Sequence, residues 1–195
     1  MLFKLIVAFS IFAMPFSNAL NSQEEFKSDI SLLCWNVQLL PDFFRSFSDH
    51  LRKKQKYRTP EIIRYLYKSG YDVIVLQEVF DANLKRQLVK GLNMRYPHIL
   101  LPKKKPFSYK SSNGIMYLSK YPLELVESII YNSASGVDRH ASKGCVLVKL
   151  EVNGLDWMIA GTHLQAGDQE MRDDQYIQIQ EEIIEPYKVN HIPFI

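Results

Sequence analysis

The chain has 195 residues, of which 47% are hydrophobic, 23% are charged and 12% are aromatic, and its formal net charge is +3. This composition excludes a disordered tail, a collagen-like fibre and a low-complexity linker, and it suits one globular domain. Two cysteines without a Cys-x-x-Cys pair also exclude a disulfide-stapled mini-protein and a zinc knuckle.

The first nineteen residues have the layout of a secretory signal peptide. Lys4 gives a positive start, residues 5–14 form an apolar run, and Ser17-Asn18-Ala19 fits a small-residue cleavage site. The run is shorter than the roughly 20 apolar residues that a membrane span needs. We therefore expect residues 1–19 to be removed, leaving a mature domain over 20–195 in a secreted or periplasmic protein.

Strand and helix patterns alternate at the start of the mature chain. Residues 30–37 and 72–76 are short runs of β-branched and apolar residues, and the second run is typical of a strand buried on both faces. Between them the sequence predicts a helix over 58–70, with Thr59-Pro60 at its start and Gly70 just past its end.

A second helix and a first hairpin follow. Asp81 is a suitable N-cap for a helix whose leucines at 84, 88 and 92 lie on one face. Residues 114–118 and 123–131 flank turn residues at 120–122, which predicts a hairpin.

The last third of the chain predicts another hairpin and another helix. Residues 145–152 and 155–163 flank Asn153-Gly154, the strongest short hairpin signal. A polar helix is predicted from about 168 to 185, and its candidate buried residues are Ile177, Ile183 and Ile184. Cys34 and Cys145 both lie in apolar, strand-like runs, so two buried thiols are favoured slightly over a disulfide.

Three polar residues stand where predicted strands end. Asn36 lies near the end of the first run, Glu78 follows the buried strand, and His163 follows the last hairpin strand. Because strand carboxyl ends converge over one crevice in layered α/β folds, these side chains would suit a hard metal ion and a phosphoryl group. Taken singly, each also has a structural explanation, so the pattern alone leaves the function open.

Several segments around these residues carry a more selective pattern. They are Cys34–Val37 with Leu40-Pro41, Asp72–Asp81, Ser112–Leu123, Asp138 with Ala141–Gly144, Gly161–Ala166, and Arg172 with Gln175. Together they resemble the endonuclease/exonuclease/phosphatase superfamily, and within it they are most similar to the secreted bacterial neutral sphingomyelinases (sphingomyelinase C).

The resemblance implies a four-layered α/β sandwich, with two mixed β-sheets flanked by helices, that works as a Mg²⁺-dependent phosphodiesterase. Glu78 would bind the Mg²⁺ ion, and Asn36 would help to position the metal shell and the phosphate. His163 would hydrogen-bond the phosphate and stabilise the developing charge, and Asp138 matches a substrate-binding position. The implied substrate is sphingomyelin at a membrane surface, and the products are ceramide and phosphocholine.

The same resemblance implies that the fold is incomplete at the C-terminus. Sphingomyelinases of this kind continue into a Gly-Asp-x-Asn segment after a strand like 192–195, and a later Asp-His pair supplies the general base. His191, His50, His98 and His140 do not match that pair. Since general acid–base catalysis typically contributes ~10²–10⁴ in rate, we expect residues 20–195 alone to be inactive or nearly so and to fold poorly.

Two basic runs have different predicted surroundings. The run from Arg52 to Arg58 is expected to be solvated loop charge. Lys103–Lys105, followed by Phe107 and Tyr109, is expected to touch an anionic membrane surface.

Two alternatives stay open beside the sphingomyelinase hypothesis. One is a nuclease or other phosphoesterase on the same fold, although a near-neutral charge makes nucleic acid the less favoured partner. The other is a non-catalytic secreted remnant. The sequence gives no indication of the oligomeric state.

Overall fold

The computed structural model describes residues 7–10, 29–40, 49–102, 111–189 and 192–195. The strands in these segments are β1 (Val7–Ser10), β2 (Ser31–Leu39), β3 (Val73–Val79), β4 (His98–Leu100), β5 (Met116–Ser119), β6 (Glu124–Ile130), β7 (Gly144–Val152) and β8 (Leu155–Thr162). The helices are α1 (Asp49–Ser69), α2 (Ala82–Leu92), α3 (Gln169–Ile179), a π-helical turn (Gln180–Ile184) and α4 (Glu185–Tyr187), with a 3₁₀ turn at Gly136–His140.

The strands form two sheets. The first has the order β1-β2-β3-β5-β4, in which β2 and β3 are parallel and the other neighbours are antiparallel. The second is the antiparallel meander β6-β7-β8. Beyond it, Phe194 pairs in parallel with Met158, and the Ala160 amide donates to the Ile195 carbonyl oxygen at 2.7 Å. The first sheet is therefore mixed, and the second is antiparallel with one parallel bridge at its edge.

Strand β3 lies at the centre of the molecule and is buried on both faces, as its sequence predicts. Ile74 and Leu76 pack into a core with the apolar faces of α1 and α2. Val73 and Val75 face the other way and pack against the second sheet through Val146. The alternation of side chains along a strand thus fills two cores from one element.

The outer face of the second sheet is covered by the C-terminal helices. Leu147 and Met158 form a third apolar cluster there with Ile183. The layers are consequently helix, sheet, sheet and helix, which confirms the four-layered α/β sandwich predicted from the sequence.

Tyr117 joins the two sheets. From β5 its hydroxyl lies 2.7 Å from the Val146 carbonyl oxygen and accepts a hydrogen bond from the Gly161 amide at 2.5 Å. A Cβ at Gly161 would lie 2.4 Å from that hydroxyl, which explains why this position has no side chain. The packing of β5 against β8 therefore depends on this pair.

Helix α1 differs from its prediction at the start. It begins at Asp49 rather than near Arg58, and Pro60 lies inside it. Thr59 is not an N-cap, because its hydroxyl donates to the Gln55 carbonyl oxygen one turn earlier. The first basic run accordingly lies on a helix and not on a loop. Gly70 ends the helix with φ +76°, as predicted.

The hairpin predicted around residues 120–122 is wrong, because β5 and β6 belong to different sheets. Lys120 lies where the chain passes from the first sheet to the second. Its side chain donates to the Gly70 carbonyl oxygen at 2.5 Å and to Asp72 Oδ1 at 2.9 Å. The hairpin at Asn153-Gly154 is confirmed, with φ values of 53° and 80° at the two turn residues.

The other helix predictions hold in part. In α2, Asp81 accepts hydrogen bonds from the Asn83 and Leu84 amides, and all three predicted leucines are buried. In the last predicted helix Ile183 is fully buried, whereas Ile177 is 57% exposed because Gln175 and Gln178 take the inward positions.

The remaining expectations concern the cysteines and the termini. Cys34 is half-buried, Cys145 is buried, and both thiols are free.

Strand β1 falls inside the predicted signal peptide and pairs with β2. The domain boundary at residue 19 stays a prediction. Lys103–Lys105, Phe107 and Tyr109 lie outside the described residues. None of the described helices is both long and apolar enough to cross a bilayer.

Candidate active site

Asn36 and Glu78 meet at the carboxyl ends of two adjacent strands. Asn36 on β2 pairs with Gln77 on β3. Glu78 is the next residue along β3, so it comes directly after this pair. The Asn36 side-chain amide donates to Glu78 Oε1 at 2.8 Å. Parallel pairing therefore brings together two residues that lie 42 positions apart in sequence.

The backbone at this edge departs from regular strand geometry. Glu78 has φ 59° and Gln38 has φ 50°, in the left-handed region that non-glycine residues rarely adopt. The β2–β3 register shifts between Asn36 and Leu39, and Asn36 Oδ1 accepts a hydrogen bond from the Gln38 amide at 3.0 Å. Such residues cost about 1–3 kcal/mol each and cluster at functional sites, so this edge is a candidate on backbone geometry alone.

His163 comes to the same place from the second sheet. It directly follows β8, and its amide donates to the Gly144 carbonyl oxygen at 3.2 Å. Its Nε2 lies 3.5 Å from Glu78 Oε1, and its ring centroid lies 6.3 Å from that of Phe80. The Nδ1 atom is buried and has no hydrogen-bond partner among the described residues. The site is therefore assembled across the interface between the sheets.

The surroundings of Glu78 favour its ionised form. Burial by itself raises the pKa of this carboxyl group, but the neighbouring His163 ring, the hydrogen bond from Asn36 and the charge of Lys143 bring the pKa below its usual value. Glu78 is thus a carboxylate held among donors, with 18% of its side chain exposed.

Two cations near Glu78 were not identified as site residues from the sequence. The Arg58 guanidinium on α1 donates to the Val37 carbonyl oxygen at 2.6 Å; burial lowers the pKa of Arg58, and the charge of Glu78 opposes that shift. The Lys143 side chain, 5% exposed, acts on Glu78 from the other side. Lys143 stood inside a motif segment, whereas nothing local separates Arg58 from the basic run around it.

Asp138 lies beside the loop that follows His163. Its Oδ2 accepts hydrogen bonds from Lys143 Nζ at 2.9 Å and from the Ala166 amide at 2.8 Å. Lys143 Nζ also donates to the Leu164 carbonyl oxygen at 2.8 Å. Asp138 has no direct contact with Glu78 or Asn36 in the described structure, so Lys143 is its link to the site.

Helix α3 holds the same loop from outside. Gln175 accepts a hydrogen bond from the Gln165 amide at 2.8 Å, and Arg172 donates to the Gln165 carbonyl oxygen at 3.2 Å. The two polar residues of α3 that the sequence motif includes therefore position the segment after His163.

The family model for the Endonuclease/Exonuclease/phosphatase family matches residues 33–194. The chain belongs to this family. The match includes most of β2, all of β3 to β8, and the four residues Asn36, Glu78, Asp138 and His163.

Individual members of the family show how far the likeness extends. The chain is 32% identical over 154 residues to sphingomyelinase C 2 from Leptospira interrogans, which covers 72% of the chain and 24% of that relative. The crystal structure of sphingomyelinase C from Streptomyces griseocarneus superposes with a TM-score of 0.72 and 26% identity, covering 85% of the chain and 62% of that structure. A Staphylococcus aureus beta toxin structure with bound magnesium ions has a TM-score of 0.68 at 23% identity, covering 83% of the chain and 61% of that structure.

The residues at this edge fit a magnesium ion. The described residues contain no cluster of three His, Cys, Asp or Glu side chains that could hold a metal ion by themselves. Mg²⁺ usually keeps several waters and takes one or two carboxylates together with substrate phosphate oxygens. Glu78 supplies one ionised carboxylate, and Asn36 fixes its orientation through Oε1. A single oriented carboxylate matches the protein's share of that donor set.

Proposed function

We propose that this chain carries part of the active site of a Mg²⁺-dependent phosphodiesterase that hydrolyses sphingomyelin to ceramide and phosphocholine. The convergence of Asn36, Glu78 and His163 from two sheets supports the proposal most directly. The similarity to sphingomyelinases supports the choice of substrate. The proposal includes export of the protein after removal of residues 1–19.

Each side chain has a distinct task in the proposed reaction. Glu78 would hold the Mg²⁺ ion, which polarises a phosphoryl oxygen when bound. Asn36 keeps the Glu78 carboxylate in one orientation through its 2.8 Å hydrogen bond. His163 would donate a hydrogen bond to the phosphate as negative charge develops, because a fixed donor stabilises the transition state more than the ground state.

Asp138 would contribute to the substrate side of the site. Both of its described partners, Lys143 and the Ala166 amide, also fix the loop that follows His163. We expect Asp138 to define where the substrate headgroup lies relative to His163, as its position in the family motif implies.

Residues 20–195 on their own would lack a base for the attacking water. These 195 residues contain no Gly-Asp-x-Asn segment, and the Asp49-His50 pair begins α1 rather than following the second sheet. General-base help is worth ~10²–10⁴ in rate, so we propose that this part alone turns over sphingomyelin at no more than trace rates.

Magnesium binding tests the site without requiring turnover. Mg²⁺ at about one hundred times its dissociation constant should raise the free energy of unfolding by about 2.7 kcal/mol. Glu78→Gln should abolish that gain, whereas the control Glu151→Gln, an exposed carboxylate on β7, should keep it. A wild-type chain that gains no stability from Mg²⁺ would contradict the proposal.

Product analysis then tests the reaction and the substrate. Phosphocholine release from sphingomyelin should stay at trace level for residues 20–195. Release that requires Mg²⁺ and disappears in Glu78→Ala would refute the proposed inactivity while supporting the proposed chemistry. Nicking of plasmid DNA without phosphocholine release would instead favour the nuclease alternative.

A further inference from the structure

An open groove of about 780 Å³ runs between α1 and α2 on the outer helical layer. Its lining includes Lys53, Lys56 and Tyr57 from α1 and Arg86 and Lys90 from α2. Among the residues that the structure describes, no aspartate or glutamate lines it. The groove is therefore a concentrated positive surface, separate from the site built around Glu78.

The sequence on both sides of the groove is free of acidic residues. Residues 50–60 contain five Lys or Arg and residues 82–92 contain three, with no Asp or Glu in either stretch. The N-terminus of α2 is capped by the buried Asp81, which lies just before this stretch and does not line the groove. Neither stretch supplies a negative charge of its own to balance its lysines and arginines.

The groove lysines form no ion pair within the part of the chain that the structure describes. Lys53, Lys56 and Lys90 are exposed and have no carboxylate within salt-bridge distance there. Lys120 and Lys143 are paired with Asp72 and Asp138, whereas among the same described residues the exposed Lys54 and Lys68 are unpaired like the groove lysines. The groove charges therefore balance no carboxylate of the described fold and are available to an external anion.

The groove lies beside the same end of the molecule as the candidate active site. Helix α2 begins at Ala82, four positions after Glu78, and Arg58 on α1 reaches the Val37 carbonyl oxygen near the end of β2. Tyr57, 75% exposed at the groove, adds an amphipathic ring of the kind that favours the membrane interface. Positive charge and an aromatic ring next to a site for a lipid phosphodiester point towards a membrane.

We infer that the α1–α2 groove docks the protein on anionic phospholipid headgroups and so holds the candidate active site at the bilayer. The preference for an anion rests on the groove charges, and the choice of a phospholipid rests on the proposed function. The binding is electrostatic, so it weakens as the salt concentration rises.

Vesicle co-sedimentation of the full chain tests the inference. Phosphatidylcholine vesicles containing phosphatidylglycerol should be bound at least about tenfold more tightly than phosphatidylcholine alone. Because both vesicles present the same hydrocarbon, the ratio of the two affinities isolates the headgroup preference. Lys53→Gln, Lys56→Gln and Lys90→Gln together should remove most of this ratio.

A matched triple variant controls for net charge. Lys54→Gln, Lys68→Gln and Lys188→Gln remove the same charge from exposed positions outside the groove, and the headgroup ratio should persist. Equal losses in the two variants, or no preference in the wild type, would overturn the inference. Tighter binding of an oligonucleotide than of the vesicles, lost in the groove variant, would also overturn it.

The two proposals can fail separately. Glu78→Gln should leave vesicle binding intact, since Glu78 does not line the groove. Preserved vesicle preference without any Mg²⁺ response would remove the proposed enzyme site and leave the docking surface. A Mg²⁺ response without a preference for anionic vesicles would remove the docking surface and leave the proposed enzyme site.

Discussion

The two sheets contribute to the candidate site in different ways. The first supplies Asn36 and Glu78 through a register shift and a left-handed backbone at Glu78. The second supplies His163 at the end of β8, which pairs with β7 without any shift in register. The first sheet therefore places its groups by local strain, whereas the position of His163 depends on how the two sheets pack together.

Tyr117 and Gly161 are the point where that dependence can be tested. The Tyr117 hydroxyl reaches from β5 to β7 and β8, and Gly161 lies two residues before His163. A substitution at Tyr117 or Gly161 should disturb the packing between the two sheets, whereas a substitution within one sheet should leave that packing intact.

Gly161→Ala should have the largest effect. Its Cβ would lie 2.4 Å from the Tyr117 hydroxyl and 2.8 Å from Val75 Cγ1, in a fully packed interface. Overpacking of this kind should lower the free energy of unfolding by about 3 kcal/mol, measured by urea denaturation. Gly167→Ala is the control: it has φ +74° and open space around it, so only about 1 kcal/mol is expected. Equal stabilities of the two variants would show that the sheets do not meet here as described.

Tyr117→Phe should have an intermediate effect. It leaves the buried Gly161 amide without its acceptor, which should cost about 2 kcal/mol. Tyr96→Phe removes one hydroxyl bond, to the Leu66 carbonyl oxygen, within the first half of the molecule and should cost about 1 kcal/mol. Hydrogen exchange at residues 157–163 should accelerate only in Tyr117→Phe. Acceleration by both variants to the same extent would argue against a specific role for Tyr117 in joining the sheets.

Asp72→Asn should have the smallest effect, confined to the first sheet. Burial raises the pKa of Asp72, but hydrogen bonds from Ser31 and Lys120 outweigh it and lower the pKa below its usual value. Its stabilising contribution is therefore present at neutral pH and is lost as the pH falls from about 4 through the folded-state pKa.

The variant should cost about 1 kcal/mol at pH 7, and its stability should fall less steeply than that of wild type below pH 4. Asp156→Asn removes the partly exposed pair with Lys149 on the second sheet, and a smaller change is expected. Parallel stability–pH curves for wild type and Asp72→Asn would show that Asp72 is not the titrating group.

The sequence predicted elements whose determinants are local. The Asp81 cap, the leucine repeat of α2 and the Asn153-Gly154 turn each depend on residues within one or two turns of chain. The supposed hairpin at 120–122 failed because its two strands are separated by the tertiary anchoring of Lys120 to Gly70 and Asp72. Thr59-Pro60 resembled a helix start because Pro60 also fits a first turn, although it lies inside α1.

The sequence indicated the candidate residues but not their geometry. Asn36, Glu78 and His163 interrupt apolar runs and match motifs, and the structure brings them together. The left-handed backbone of Glu78 leaves no sequence signal, because glutamate is not a residue that favours it. Arg58 and Lys143 act on Glu78 from distant parts of the chain, and only the packing of the layers reveals them.

The separation of the site residues along the chain also governs when the site can form. The meander β6-β7-β8 closes through nearby segments, whereas Asn36 and Glu78 lie 42 residues apart and Tyr117 and Gly161 lie 44 residues apart. Closing longer loops costs more chain entropy, and folding slows as contacts become less local. The second sheet should accordingly form early, and the contact between Glu78 and His163 should appear last in refolding. The Mg²⁺ response would then report the final step of folding and would be lost first when the chain begins to open.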